Sequence, residues 1–345
     1  MEGVVRHHTM EANGISMHVA ETGPEVDAKG TVLFVHGFPE LWYSWRHQME
    51  HLAVRGYRCV APDLRGYGGT SAPPDVASYT AFHIVGDLVA LLDALSLAKV
   101  FVVGHDWGAL IAWYLCVFRP ERVTALVNTS VTFMRSIMIR MGPGFVKPTD
   151  YFNSTYGPKI LIMQVRDTPF TAASVCIQVP GVAEQQFMAA NAKHLLKQVL
   201  CPCFSHGVAC EENMDDDPSS MTLPSWLTEA DVDYFGASFE KTGFTGAINY
   251  YRNLDRNCEL AAPGIQDYLH HGGFKEDVPL LEELVVIPGA GHFVQQEKAQ
   301  EEHRVASWSS DPRATWIGVS SLEKTFTFLN FQIRHETTMS MEGHT

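Results

Sequence analysis

The chain has little positive charge. Its 25 Lys and Arg stand against 39 Asp and Glu, a formal net charge of −14. A surface of that sign repels phosphate, which argues against nucleic acid or an anionic membrane as partner. Long apolar runs are also missing, so no segment is expected to span a bilayer, and the first residues lack the apolar core of a secretory leader. Cysteine is sparse. Seven scattered over 345 residues is an odd number, which suits a reducing compartment and a cytoplasmic location better than a disulfide framework. Cys201, Cys203, His206 and Cys210 have a spacing zinc could use, but the cluster is isolated and is read as free thiols in a loop. The Asp215-Asp216-Asp217 run is read as a solvated loop. What remains is an ordinary globular composition, 46% hydrophobic, in a chain long enough for one large α/β domain with an inserted lid.

The most informative segment is Val100 to Gly108. An apolar strand ends in Gly104-His105-Asp106-Trp107-Gly108 and opens into an apolar-periodic helix, Ala109 to Phe118. Strand, tight turn and helix in that order form a nucleophile elbow. The two glycines let strand and helix backbones pass closely, and the central residue is held strained with its side chain above the sheet. Neither Ser nor Cys stands at the centre. Asp106 does, and a carboxylate nucleophile attacks saturated carbon, forms an alkyl ester and is regenerated by water.

Two further strand ends agree. Thr31 to Val35 is a buried-type strand followed by His36-Gly37-Phe38-Pro39-Glu40, and Ala61 to Gly68 closes another strand with turn chemistry. In hydrolases built this way, the loop after the first of these strands and the residue after the nucleophile each supply an oxyanion-hole N–H. Those donors are Phe38 and Trp107. His292 follows the strand-like Leu284 to Pro288 in a Gly-rich loop, and a late histidine after the nucleophile matches the order of this design.

On these residues the chain resembles the plant-type soluble epoxide hydrolases of the α/β-hydrolase fold. The match is carried by His36 to Glu40, Asp63 to Gly68, Ser78 to Leu92 and Gly104 to Gly108, then by Lys241 to Gly246, Asn249 to Arg252 and Gly289 to Glu297. It is close from about Met10 to Phe133, patchy to Pro263, close again to about Glu302, then absent. The resemblance implies a mostly parallel sheet with flanking helices and an inserted helical cap. It implies Asp106 as nucleophile, His292 as general base and Tyr251 as proton donor to the epoxide oxygen. It places His36, Pro39, Trp107 and Tyr156 against a lipophilic epoxide such as that of a fatty acid. No cofactor or metal is implied, and a monomer or homodimer is expected. A haloalkane dehalogenase is a weaker alternative, because those enzymes often place Asn after the first His-Gly, where this chain has Phe38.

The expected organisation is a first core part over 1–132, a cap over 133–255, a truncated second core part over 256–302 and an atypical tail over 303–345. Two things the resemblance calls for are missing. No tyrosine stands at the second cap position, and Tyr151 or Tyr156 are the open substitutes. The carboxylate that should orient His292 is missing too. Asn257 to Pro263 runs directly into Gly264, as though one core strand and its acid were deleted together, and Asn128 and Thr129 occupy the other place relatives use. Asp255, Glu259, Asp267 and Asp277 are the acids left nearby. A catalytically impaired or ligand-binding protein is therefore the rival reading, with a shortened sheet and a tail in which Thr325 to Ile333 alternates like a strand.

Overall fold

The computed structural model describes residues 4–131, 179–189, 192–200, 223–257, 281–287, 293–299 and 315–320. His292, Tyr151, Tyr156, the Cys201–Cys210 and Asp215–Asp217 segments, Glu259, Asp267, Asp277 and Thr325–Ile333 lie outside these residues.

Eight strands form one sheet: β1 (Arg6–Ala12), β2 (Ile15–Thr22), β3 (Thr31–Val35), β4 (Arg58–Pro62), β5 (Val100–His105), β6 (Val123–Thr129), β7 (Leu281–Ile287) and β8 (Thr315–Ser320). Their order is β1-β2-β4-β3-β5-β6-β8-β7. The first two pairings are antiparallel and the rest parallel. The β1–β2 hairpin turns on Asn13 and Gly14, both at positive φ (51° and 77°), the conformation a two-residue primed turn requires.

The central strands are apolar on both faces because both are covered. Leu33, Val35 and Val102 join the core formed with α2 (Ala81–Ala94) and α3 (Trp107–Phe118). Val32, Phe34 and Val103 meet Trp42, Trp45, Met49 and Leu52 around α1 (Arg46–Ala53). Helix α2 starts where Thr80 accepts a hydrogen bond from the His83 N–H. Helix α3 is enclosed along most of its length, with Trp107 to Leu115 all buried, so its apolar residues are not confined to one stripe.

Between β6 and β7 in sequence lie α4 (Val182–Ala189), α5 (Ala192–Leu200), α6 (Glu229–Thr242) and α7 (Thr245–Arg252). Helix α6 opens with a capping box in which Thr228 and Asp231 satisfy each other's backbone N–H. The same Asp231 accepts from Tyr43 (2.9 Å) and pairs with Arg46 (3.2 Å), tying α6 to the core. Helix α7 lies closer still. A Cβ on Gly66 would stand 2.8 Å from the Gly246 Cα, and the reverse distance is 2.7 Å.

The far edge of the sheet differs from the expectation of a shortened sheet. Strand β8 comes from the tail and lies between β6 and β7, parallel to both. The place beside β6 is taken by residues some thirty positions downstream of β7. Unpaired strand edges cost backbone hydrogen bonds, and Thr315–Ser320 supplies them on both sides.

Candidate active site

Asp106 sits between β5 and α3 at φ 52°, ψ −121°, a conformation costly for a residue with a side chain. The turn is held by close approaches that only glycine permits. A Cβ on Gly108 would lie 2.0 Å from the Val35 carbonyl oxygen, and one on Gly37 would lie 2.5 Å from the Asp106 side chain. Behind the turn, Asn128 donates to Ala109 O (3.0 Å) and Thr129 to Gly104 O (3.2 Å). These two residues brace the elbow.

The Phe38 N–H donates to Asp106 Oδ1 at 2.8 Å. Phe38 and Trp107 also form the walls under Tyr251, with ring centroids 5.7 and 4.9 Å from it in edge-on geometry. Tyr251 takes a side-chain hydrogen bond from Trp107, which can only donate. Burial first, and Asp106 second, push the Tyr251 phenol well above its ordinary value, so it keeps its proton. Tyr250, its neighbour on α7, points elsewhere and donates to Arg65 O at 2.9 Å. Pro39 is buried, in a cis peptide with Phe38. His36 is fully buried, with Nδ1 against Gly37 O (2.9 Å) and Nε2 accepting from Leu64 N–H (2.9 Å). Both ring nitrogens are thus engaged within the protein. Burial lowers its pKa, so the ring is neutral, with Nδ1 carrying the proton.

The sequence reading gave no role to Glu40, which proves central. It is fully buried. One carboxylate oxygen accepts from Gly37 N–H (2.8 Å) and faces His105 Nδ1 (2.7 Å), and the other accepts from Gln295 Nε2 (2.5 Å). One side chain therefore joins the Phe38 loop, the residue before Asp106 and the helical turn α8 (Val294–Glu297). A charged residue inside an apolar loop was the available signal, since a buried carboxylate must be paired.

His292 lies just outside the described residues, but its neighbour Phe293 is fully buried with its ring 6.0 Å from that of His105. Gln48 fixes the following segment by donating to Gln295 O (2.5 Å). Asp255, the described member of the candidate acids, is half-buried in the helical turn beyond α7. Among the described residues no group of His, Cys, Asp and Glu could hold a metal ion, and no helix is long and apolar enough to cross a membrane. A strained carboxylate with a backbone N–H on one oxygen and a protonated phenol above it is equipped to form an ester with an electrophilic carbon and to protonate the oxygen released.

Sheet order, elbow and inserted helices define an α/β hydrolase, and residues 30–176 match the family model for the alpha/beta hydrolase fold. Epoxide hydrolase 3 of Siraitia grosvenorii is 45% identical over 330 residues, covering 86% of this chain and 95% of that protein. Epoxide hydrolase A of Mycobacterium tuberculosis is 31% identical, with 87% and 95% covered. Among solved structures, an epoxide hydrolase from Vigna radiata superposes with a TM-score of 0.70 at 42% identity, covering 87% of this chain and 96% of its own. A laboratory-evolved variant of potato epoxide hydrolase gives 0.69 at 41%, with 88% and 97% covered. The chain belongs to the epoxide hydrolase family.

Proposed function

We propose that this protein adds water to a lipophilic epoxide to give a vicinal diol, through an alkyl ester on Asp106. The observation that carries the reading is the geometry of Asp106, strained in the elbow, hydrogen-bonded by Phe38 N–H at 2.8 Å and lying beneath the Phe38–Trp107–Tyr251 cluster. A carboxylate oxygen of Asp106 attacks an epoxide carbon, the ring C–O bond breaks, and Tyr251 gives its proton to the oxygen released. A water oxygen then bonds to the ester carbon while its proton passes to His292. The tetrahedral oxyanion is held by the N–H groups of Phe38 and Trp107. Collapse breaks the bond to the alkyl oxygen, which takes the proton from His292, and the proton left on the Asp106 carboxyl returns to the Tyr251 phenolate, restoring both groups. Residues 133–255 form the lid over this site. His36, Pro39, Trp107 and Tyr156 shape the space for the substrate. No cofactor or metal takes part, and the protein works as a monomer or homodimer in the cytoplasm. Cys59 and Cys116, free thiols whose pKa burial raises to about 12, suit a reducing setting.

The experiment is a single turnover with a lipophilic epoxide in oxygen-18 water. The water oxygen should enter Asp106 and not the diol, and Asp106→Ala should form no diol. Label going directly into the diol would overturn the ester mechanism. Because the sequence offers no acid in the usual place, the ester should persist. Losing the acid of a comparable serine-protease triad slows turnover by about four orders of magnitude. Intact-mass measurement should then show a long-lived adduct, and rapid turnover without one would mean that another carboxylate serves His292. Chloroalkanes should release no halide, since Phe38 offers a backbone donor but no side-chain group for one.

A further inference from the structure

Gln48 is the third residue of α1 and is only 3% exposed, an uncommon place for an amide. Its Nε2 donates to the main-chain carbonyl of Gln295, at 2.5 Å. Gln295 is fully buried, and its own side chain donates to Glu40 at 2.5 Å. The next residue, Gln296, accepts from Arg46 at 3.3 Å. Within α8 the N–H groups of Gln296 and Glu297 donate to Phe293 O, each at 2.9 Å. The Phe293 N–H donates to the Glu297 side chain at 3.0 Å. The Phe293 ring stands 6.0 Å from His105 and 6.4 Å from Trp226.

These contacts differ in what they hold. Glu40 and Arg46 grip side chains of α8, and rotatable bonds lie between those grips and the backbone. Gln48 grips a carbonyl, so it fixes the main chain directly. That carbonyl belongs to the third residue after His292, and Phe293 is the covalent neighbour of His292, with successive Cα atoms about 3.8 Å apart. His105, against which Phe293 packs, is likewise the covalent neighbour of Asp106. A histidine base is ordinarily oriented by a carboxylate. The sequence offers His292 none in the usual place, so the backbone that carries the ring matters more.

We propose that Gln48 is a positioning residue for hydrolysis of the Asp106 ester: by holding the Gln295 carbonyl, it fixes the backbone from which His292 reaches the water. The inference rests on the epoxide reading above. Gln48 takes no part in the bond changes. The water oxygen bonds to the ester carbon, its proton passes to His292, and the alkyl oxygen leaves with that proton. A misplacement of about 1 Å in such a step can cost on the order of a hundredfold in rate. Attack on the epoxide uses Asp106 and Tyr251 and not His292, so that step is untouched.

The test is Gln48→Met, which keeps the length of the buried side chain and removes the donor. Rapid-quench mass measurements should show the Asp106 adduct forming at the wild-type rate and decaying at least about tenfold more slowly, the effect of one lost hydrogen bond or a larger misplacement. Steady state should show kcat falling with kcat/KM unchanged, because alkylation fixes the latter. A general loosening of the fold would slow both steps. Adduct formation at the wild-type rate therefore also shows that the variant is folded at Asp106. Should Gln48→Met not fold, Gln48→Asn removes the same bond by shortening the side chain and should give the same two rates. Hydrogen exchange read by mass spectrometry should be faster in a peptide spanning residues 293–298 of either variant and unchanged in one spanning residues 100–110. An unchanged decay rate, equal slowing of both steps, or unchanged exchange over 293–298 overturns the proposal while leaving the epoxide reading in place. Failure of the wild type to form any Asp106 adduct overturns the epoxide reading, and this role with it.

Discussion

Asp106 pays for its position with backbone strain, about 1–3 kcal/mol for a residue of this kind, and the surrounding contacts hold it there. Tyr251→Phe removes the phenol proposed as proton donor to the epoxide oxygen. The expected result is a fall in alkylation rate of about a hundredfold or more, the usual yield of a general acid, with the fold retained, since the ring still meets Phe38 and Trp107. Rapid mixing under single-turnover conditions checks it. Two buried groups nearby make stability depend on pH in the same direction. Neutral His36 has a folded pKa below its ordinary 6.5, so the unfolded chain binds more protons and stability is lost as pH falls from 6.5. Burial alone would raise Glu40, but His105 and the Gly37 N–H bring it below its ordinary 4.5, so its contribution is present above 4.5 and lost as pH drops through the lowered value. Each group should steepen the decline by up to about 1.4 kcal/mol per pH unit within its window. Denaturant midpoints measured from pH 7 to 4 should fall throughout, and a midpoint that rises below pH 6.5 would count against a neutral His36. At this scale the strained turn at Asp106 was legible in the sequence, because its two glycines and the strand and helix beside it leave little choice of conformation. Glu40 was not, because its partners come from β5 and α8, distant in the chain.

Helices α3 and α7 show what pattern reading can and cannot reach. The apolar run of α3 was visible, though its start at Trp107 rather than Ala109 follows from the turn geometry. For α7, the resemblance at Asn249 to Arg252 marks the segment but not the surface it meets. That surface is set by two glycines in contact, Gly66 and Gly246. Gly246→Ala should wedge α7 away from the core, cost about 1–3 kcal/mol as overpacking does, and lower kcat because Tyr251 moves with the helix. A matched Tm and activity series on Gly246→Ala and an exposed α6 control such as Glu240→Ala checks it. Equal behaviour of the two variants would refute the idea that this contact seats the lid. The ties of Asn253 to Val76 O (2.7 Å) and of Asn257 to Ala81 N–H (2.7 Å) brace the same contact and carry no signal in the sequence.

Across the whole molecule, the parallel sheet was legible in the sequence, and the entry of a tail strand between β6 and β7 was not. The stretch Thr325–Ile333, which alternates like a strand, lies outside the described residues, and the tail strand described in the sheet is Thr315–Ser320. The segment Thr315-Trp316-Ile317-Gly318-Val319-Ser320 carries the β-branched and aromatic side chains of a strand, but nothing in it names its neighbours. It pairs because β6 and β7 each present an open ladder. A chain ending at Arg313 should therefore lose cooperative unfolding and be cleaved readily by protease, whereas one ending at Leu322 should keep both. Thermal melts followed by limited proteolysis distinguish the outcomes, and equal stability of the two would show β8 to be dispensable.

The same arrangement bears on synthesis. Leu126 on β6 pairs beside Thr315 on β8. A ribosome must therefore add helices α4 to α7 and the β7 strand before the middle of the sheet can close. Until then β6, with Ala125 to Thr129 buried in the finished protein, presents an apolar, half-paired edge to other nascent chains. Parallel pairing across so great a separation is slow to form. Yield in a cell should therefore depend on chaperones more than the stability of the completed enzyme would suggest.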